Sequence, residues 1–302
     1  MMSEYPLAFV VVLTWNNAPD AIECLKSVAC LDYPNAHVLL VDNGSTDGSV
    51  GLIRTEHPDV EILETGENLG YVGGSNAGIR HALEAGAEYV LLLNNDTKVA
   101  PDSLNNLVSA AERFPDAAFL GPKVCHLQEP GIIQSAGARL DWLWRSHQRG
   151  LDEEDRGQFD RLEEVEYVIG GAVLIRASLL DQIGLLDPDF FMYRDDVDWC
   201  LRARRLGYRI LYVSDATIWH RSHRVREAQL PFMTYYMTRN SLILLAKHRG
   251  GVLRFTAVLL RHLLRAAIWT IRPKWRHKRM ERDALIKGLL DFFRGKVGQG
   301  YA

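Results

Sequence analysis

The sequence has no pronounced surplus of either charge: 35 Lys and Arg stand against 38 Asp and Glu, a net charge of −3 over 302 residues. Proteins that coat a polyanion need a basic surplus, so no nucleic-acid partner is expected. Cysteine is scarce as well. Cys24, Cys30, Cys125 and Cys200 show neither zinc-ligand spacing nor a disulfide framework, which points to reduced, mostly buried thiols and a cytoplasmic protein. Long apolar runs are missing: the first, Leu7–Leu13, is too short to span a membrane, and no basic segment precedes it as in a secretory signal. There is also no GxGxxG fingerprint after the first strand, which argues against a nucleotide-binding oxidoreductase.

What is present is an alternation of strand and helix. With 47% hydrophobic residues the chain can bury one large core, or one core and an appendage. Leu7–Thr14 is a continuous apolar run, the pattern of a strand covered on both faces. Ala18–Ala29 has apolar residues at helical spacing. Strand His37–Val41, helix Ser49–Glu56, short strand Val60–Leu63, helix Gly73–Ala85 and strand Tyr89–Leu93 follow. Such alternation predicts right-handed crossovers and a parallel sheet with its ligand site beyond the carboxyl ends of the strands. Polar residues cluster there: Thr14-Trp15-Asn16-Asn17, Asp42-Asn43-Gly44-Ser45-Thr46-Asp47-Gly48 and Asn94-Asn95-Asp96-Thr97. Turn chemistry and helix capping account for most of the second segment but not for Asp42, which is placed to accept hydrogen bonds from a base or ribose. The glycine-rich stretch from Glu67 through Gly74 to Gly78 suits close approach of a diphosphate to backbone amides.

The densest chemistry lies at Arg194-Asp195-Asp196-Val197-Asp198-Trp199. Acids at a helix start satisfy free amides and the dipole. These acids, however, follow Phe190-Phe191-Met192-Tyr193, an aromatic wall that would exclude water and raise a carboxylate's pKa, as a general base requires. Further on, between Lys247 and Arg282, eleven basic residues face the single acid Glu281 and are interleaved with Leu253, Leu260, Leu264 and Trp269. That pattern fits either an interfacial helix with a basic flank or a helix packed on the domain with a solvated basic face. Gly131 to Val165 is the least patterned segment. Its Trp142 and Trp144 either offer faces for stacking or form a satellite core.

Taken in order, these segments resemble family 2 glycosyltransferases of the GT-A fold, especially the bacterial rhamnosyltransferase-like branch, over roughly Pro6 to Asn240. The carriers are Val11 to Asn16, Val41 to Asp47, Asn68-Leu69-Gly70 through Asn76-Ala77-Gly78, Leu92 to Asp96 and Gly170-Gly171-Ala172. Gly184 to Asp187 running into Phe190-Phe191, then Asp195 to Asp198, and Tyr236 with Arg239-Asn240 complete them. The resemblance implies a Rossmann-like, mostly parallel sheet flanked by helices. The expected division is a GT-A domain over 1–248, with a nucleotide-sugar half (1–125) and an acceptor half (126–248), and a basic helical extension over 249–302. It also implies roles. Thr14, Asn16, Asp42, Asn68, Gly74, Asn76, Asn95 and Asp96 would bind the nucleotide sugar. Asp96 with His220 (His223 as fallback) would hold Mg²⁺ or Mn²⁺, Asp196 would be the base with Asp195 beside it, Asp198, Trp142 and Trp144 would meet the acceptor, and Gly131 to Val165 would be a mobile loop over the acceptor side that orders on donor binding.

Two positions depart from the family pattern. Asn94 stands where a carboxylate often opens the metal motif, and Asp195 where Glu precedes the base. The implied reaction is inverting, metal-dependent transfer of a sugar, rhamnose from a dTDP donor (or a UDP-linked sugar), to a glycan or polyprenyl-linked acceptor at the inner face of the membrane. A catalytically silent nucleotide-sugar-binding protein of the same fold is the competing reading. The C-terminal helices would serve peripheral membrane contact or pair two subunits as a homodimer.

Overall fold

A computed structural model describes residues 5–221 and 229–301. The first apolar run forms β1 (Ala8–Thr14), buried along nearly its whole length because both sheet faces are covered. Then follow α1 (Ala18–Val28), β2 (Ala36–Asp42), α2 (Ser49–Glu56), β3 (Glu61–Glu64), α3 (Gly70–Glu84) and β4 (Tyr89–Asn94), in the expected order. Helix α3 starts at Gly70 rather than Gly73, because Asn68 Oδ1 accepts a hydrogen bond from the Gly70 amide at 2.9 Å and draws the turn into the helix.

The chain continues through β5 (Thr97–Val99), α4 (Ser103–Arg113) and β6 (Ala117–His126). Four short strands come next: β7 (Ile133–Ser135), β8 (Ala138–Leu140), β9 (Ser146–Gln148) and β10 (Glu163–Glu164). Beyond them lie β11 (Ala172–Arg176), α5 (Leu180–Ile183), α6 (Asp195–Arg205) and β12 (Arg209–His220). Three helices close the chain: α7 (Leu230–Lys247), α8 (Val252–Ile271) and α9 (Arg279–Phe293). The sheet order is β10-β12-β6-β11-β4-β1-β2-β3. Its ladders are parallel from β3 through β4 and between β6 and β12, whereas β11 runs antiparallel to both neighbours. That reversal sets the start of β11 against the end of β4, with Ala172 opposite Leu93.

Alternation along β1 feeds two cores. Phe9 and Val11 face one with α3 and α6, while Ala8, Val10 and Val12 face the other with α1 and α4. The C-terminal helices pack back onto this body: Ala284 of α9 joins Tyr235 and Tyr236 of α7 in a cluster with Phe191. Among the described residues, no helix is long and apolar enough to cross a membrane.

Residues 131–165 are not the free loop expected. β7 pairs with β6, β8 with β9 and β10 with β12. The acidic run Asp152-Glu153-Glu154-Asp155 within it is partly consumed by this scaffold, since buried Lys123 takes Asp155 at 2.9 Å and His126 takes Asp152 at 3.1 Å.

Candidate active site

The parallel register sets the polar strand ends side by side, with Thr14 opposite Asp42 and Leu13 opposite Asn94. Thr14 Oγ1 accepts a hydrogen bond from Asn95 Nδ2 at 2.9 Å. Asn16, at φ 49°, ties this edge to the next loop: its amide donates to Ser45 Oγ at 2.8 Å, and its Oδ1 accepts from the Thr46 amide at 2.8 Å. Asp42 is 2% exposed; its Oδ2 accepts from the Ser45 amide at 3.0 Å, while buried Oδ1 has no protein partner. Leaving such an oxygen unpaired costs about 1–3 kcal/mol, so the site favours a ligand that brings a donor to Asp42.

Asp96 follows directly and meets His220 at the end of β12, Nε2 to Oδ1, at 3.1 Å. The other imidazole nitrogen, Nδ1, lies 2.9 Å from Gln134 Oε1. Gln134 thereby fixes the ring, and Nε2 and the carboxylate oxygen stand together as two ligand atoms. The separation is close to the edge of about 3 Å between adjacent ligands in octahedral coordination at about 2.1 Å. The pair therefore fits a divalent ion. Among the described residues no cluster of three or more His, Cys, Asp or Glu side chains is arranged to hold a metal, so further ligands would come from substrate or water. His223 lies outside the described residues.

A cavity of about 400 Å³ joins Asn94 to Asp195 and Asp196. Glycines at the start of β11 make the approach close. A Cβ on Gly171 would stand 2.8 Å from Asn94 Nδ2, and one on Gly170 would stand 3.0 Å from Tyr71 Oη and 3.5 Å from Asp196 Cβ. Burial raises the pKa of Asp196, whereas the Val197 amide, Arg194 and the Gly170 amide pull it back. Burial also lifts Asp195, and the adjacent Asp196 charge pushes it further, well above the ordinary carboxylate range. Of the aromatic wall, Phe190 and Phe191 are buried in the core, and Met192 and Tyr193 line the cavity.

Several expected contacts are taken up by the scaffold instead. Asp198 is fully buried, with Oδ2 on Arg202 Nε at 2.8 Å and Oδ1 on His248 Nε2 at 2.7 Å, so it has nothing left for an acceptor. Asn68 accepts from the Gly70 amide within its own turn. Asn76 clamps the backbone of Leu186, donating to its carbonyl at 2.8 Å and accepting from its amide at 3.0 Å. Gly74 is needed for helix-to-sheet packing, because a Cβ there would stand 2.6 Å from Leu13 Cδ1. Trp144 packs into the core formed with α8 and α9, and Arg254 lies 4.8 Å from its ring centre. Trp142 is 54% exposed, with Arg254 5.9 Å from its ring centre.

Tyr71 and Gln134 are site residues to which the sequence pattern gave no role, and Gly170, a carrier of the resemblance, joins them at the cavity. Tyr71 sits inside the glycine-rich stretch; nothing local marks Gln134. Arg239 and Asn240 carried no role in the sequence pattern, yet both are fully buried beneath the loop that leads to Asp195.

Residues 9–201 match the model of the family described as Glycosyl transferase family 2. The chain is 28% identical, over 92% of its own length and 97% of the other, to the N-acetylglucosaminyl-diphospho-decaprenol L-rhamnosyltransferase of Mycobacterium tuberculosis. It is 22% identical, over 97% of both chains, to the dTDP-rhamnosyl transferase RfbF of Shigella flexneri. Among solved structures, the mannosyltransferase PcManGT of Pyrobaculum calidifontis, in complex with GDP-Man and Mn²⁺, superposes with a TM-score of 0.60 at 19% identity, covering 97% of this chain and 89% of that one. The fold is GT-A, as the sequence resemblance implied.

Proposed function

Since the chain belongs to glycosyl transferase family 2, we propose that it is an inverting, metal-dependent rhamnosyltransferase that moves rhamnose from dTDP-rhamnose to a polyprenyl-diphosphate-linked glycan. The observation that carries this reading is the cavity joining the strand-end residue Asn94 to Asp196. The donor and acceptor follow the printed activities of the full-length relatives.

Asp42 offers its unpaired Oδ1 to the nucleoside, with Thr14 and Asn16 shaping the same edge. Asp96 and His220 would hold Mg²⁺ or Mn²⁺. A divalent ion bound there supplies Lewis-acid neutralisation of the charge growing on the leaving diphosphate. Asp196 takes the proton of the acceptor hydroxyl as its oxygen attacks the anomeric carbon, and its raised pKa favours that transfer. Retention through a covalent intermediate would need a second, ionised carboxylate as nucleophile. Asp195 does not suit that task, being 3% exposed and held toward its neutral form.

The outward face of α8 gives a place for the membrane in this scheme. Leu253, Leu260, Leu264 and Ile271 are 74, 58, 62 and 76% exposed, and exposed Arg261, Arg272, Lys274 and Arg276 flank them. An apolar stripe with a basic border suits the surface of an anionic bilayer, where a polyprenyl-linked acceptor resides.

Release of nucleoside diphosphate from a panel of nucleotide sugars, with Mg²⁺, Mn²⁺ or EDTA, tests the proposal. Turnover of dTDP-rhamnose that disappears with EDTA and in Asp96→Ala is expected. Turnover insensitive to EDTA would overturn the metal, turnover of a different donor the sugar, and neither turnover nor thermal stabilisation by any donor would overturn the whole reading.

A further inference from the structure

The segment that delivers Asp195 and Asp196 to the cavity is strained. Phe191, Tyr193 and Arg194, none of them glycine, have φ of 61, 66 and 71°. Such a backbone persists only where its surroundings over-determine it. Here the restraint comes from far along the chain. Asn240 Nδ2 donates toward the carbonyls of Phe190 (2.9 Å), Met192 (2.8 Å) and Tyr193 (2.9 Å), so two hydrogens serve three acceptors. Arg239 Nε fixes the Asn240 amide by donating to Oδ1 at 3.0 Å, and its Nη2 reaches the carbonyls of Asp189 and Phe190 at 3.3 and 3.4 Å.

This buried guanidinium is in turn roofed by the end of the chain. The Gly298 amide donates to the Asp189 carbonyl at 2.8 Å, and the Gly300 amide to Tyr236 Oη at 3.2 Å. Gly300 lies so close that a Cβ there would stand 2.9 Å from Arg239 Nη1. Tyr235 Oη accepts from that Nη1 at 3.3 Å and donates to Asp291 Oδ2 at 2.9 Å, linking the guanidinium to α9. Tyr236 stacks on Phe191, with ring centres 5.4 Å apart and 19° between planes.

We propose that Asn240, Arg239 and the tail 298–301 are positioning elements of the catalytic site, which hold the strained 189–194 backbone so that Asp196 faces the acceptor hydroxyl. None of them touches the reacting atoms. They act by fixing the carbonyls of four residues, Asp189, Phe190, Met192 and Tyr193, whose relaxation would swing the first turn of α6. The inference rests on Asp196 being the base, and it makes the C-terminal extension part of the catalytic machinery through its inner face, whatever its outer face binds.

Two variants test it: truncation after Val297, which removes only the roof, and Asn240→Asp, which keeps the shape and removes the donor. Both are compared with wild type and Asp196→Asn for transfer from dTDP-rhamnose, or from whichever nucleotide sugar of the panel is turned over. The expected result is kcat lowered about 10- to 100-fold, donor KM within twofold, and the acid limb of the pH profile displaced, with the melting temperature of the truncated protein little changed. Wild-type kcat and pH profile in the truncated protein would overturn the proposal. So would donor binding, kcat and melting temperature falling together, since that marks a purely structural role. If Asp196→Asn itself is fully active, the reading of the base fails; if Asp196→Asn is inactive and truncation is silent, only the positioning role fails.

Discussion

The strand-end ledge, through Asn94, and the 189–194 loop, through the carboxylates that follow it, reach the same cavity by opposite means. On the ledge, Thr14, Asp42 and Asn94 are brought together by sheet register alone, and each follows directly on the apolar run of its own strand. The loop has no regular structure of its own. Its carbonyls are held by Asn240, nearly fifty positions downstream, and by Gly298 at the end of the chain. A ledge built this way tolerates change at single side chains, because the backbone beneath it is secured by ladder bonds on both sides. A loop built by distant clamps transmits any loss at a clamp to the carboxylate it carries.

The comparison predicts where substitutions hurt most. Asp196→Asn removes the carboxylate proposed as base and should lower transfer about 10²–10⁴-fold while leaving donor stabilisation intact by thermal shift. At the ledge, His220→Ala would leave Asp96 alone of the two proposed protein ligands; the Mn²⁺ concentration for half-maximal activity should rise about 10- to 100-fold, read from a metal titration. Asp42→Asn should raise donor KM about tenfold with kcat nearly unchanged, because an amide can turn its acceptor away from the nucleoside. A loss of kcat there, with KM unaltered, would show that the ledge also shapes the transition state.

Why the first half was readable and the loop was not follows from the same contrast. Strand and helix ranges up to Asn94 lie within a few residues of expectation because burial on both sheet faces writes itself as apolar runs. The acidic cluster was visible as acids at a helix start, and Asp196 does line the cavity. Yet the same pattern drew in Asp198, which is consumed by Arg202 and His248; partner choice of that kind depends on α7, which no local signal connects to α6. Gly74 and Asn76 looked like diphosphate contacts because glycine and amide side chains serve close packing and backbone clamping equally well. Gly74→Ala should therefore cost stability, seen as a lowered melting temperature, with donor KM little altered in the protein that remains folded.

The smallest expected effect concerns the outer face of the C-terminal helices. Leu260→Glu with Leu264→Glu should weaken sedimentation with anionic vesicles several-fold, leaving release of nucleoside diphosphate in solution unchanged. Unchanged vesicle binding, or a dimer that dissociates on this substitution, would assign the face to a second subunit.

The most direct test of the account is the pH dependence of kcat/KM for transfer, with wild type beside Asp195→Asn. A buried carboxylate acting as base loses activity as pH falls through its raised pKa, so the acid limb should lie above the ordinary range of about 4. Asp195, whose folded pKa is also raised, adds stability in acid that is lost as pH rises through that value. Asp195→Asn should then be at least as stable as wild type at neutral pH, stay active, and keep its acid limb close to the wild-type position, since burial and not an Asp195 charge raises Asp196. An acid limb at or below about 4 in wild type, or an inactive but folded Asp195→Asn, would contradict the assignment of Asp196 as a base tuned by burial.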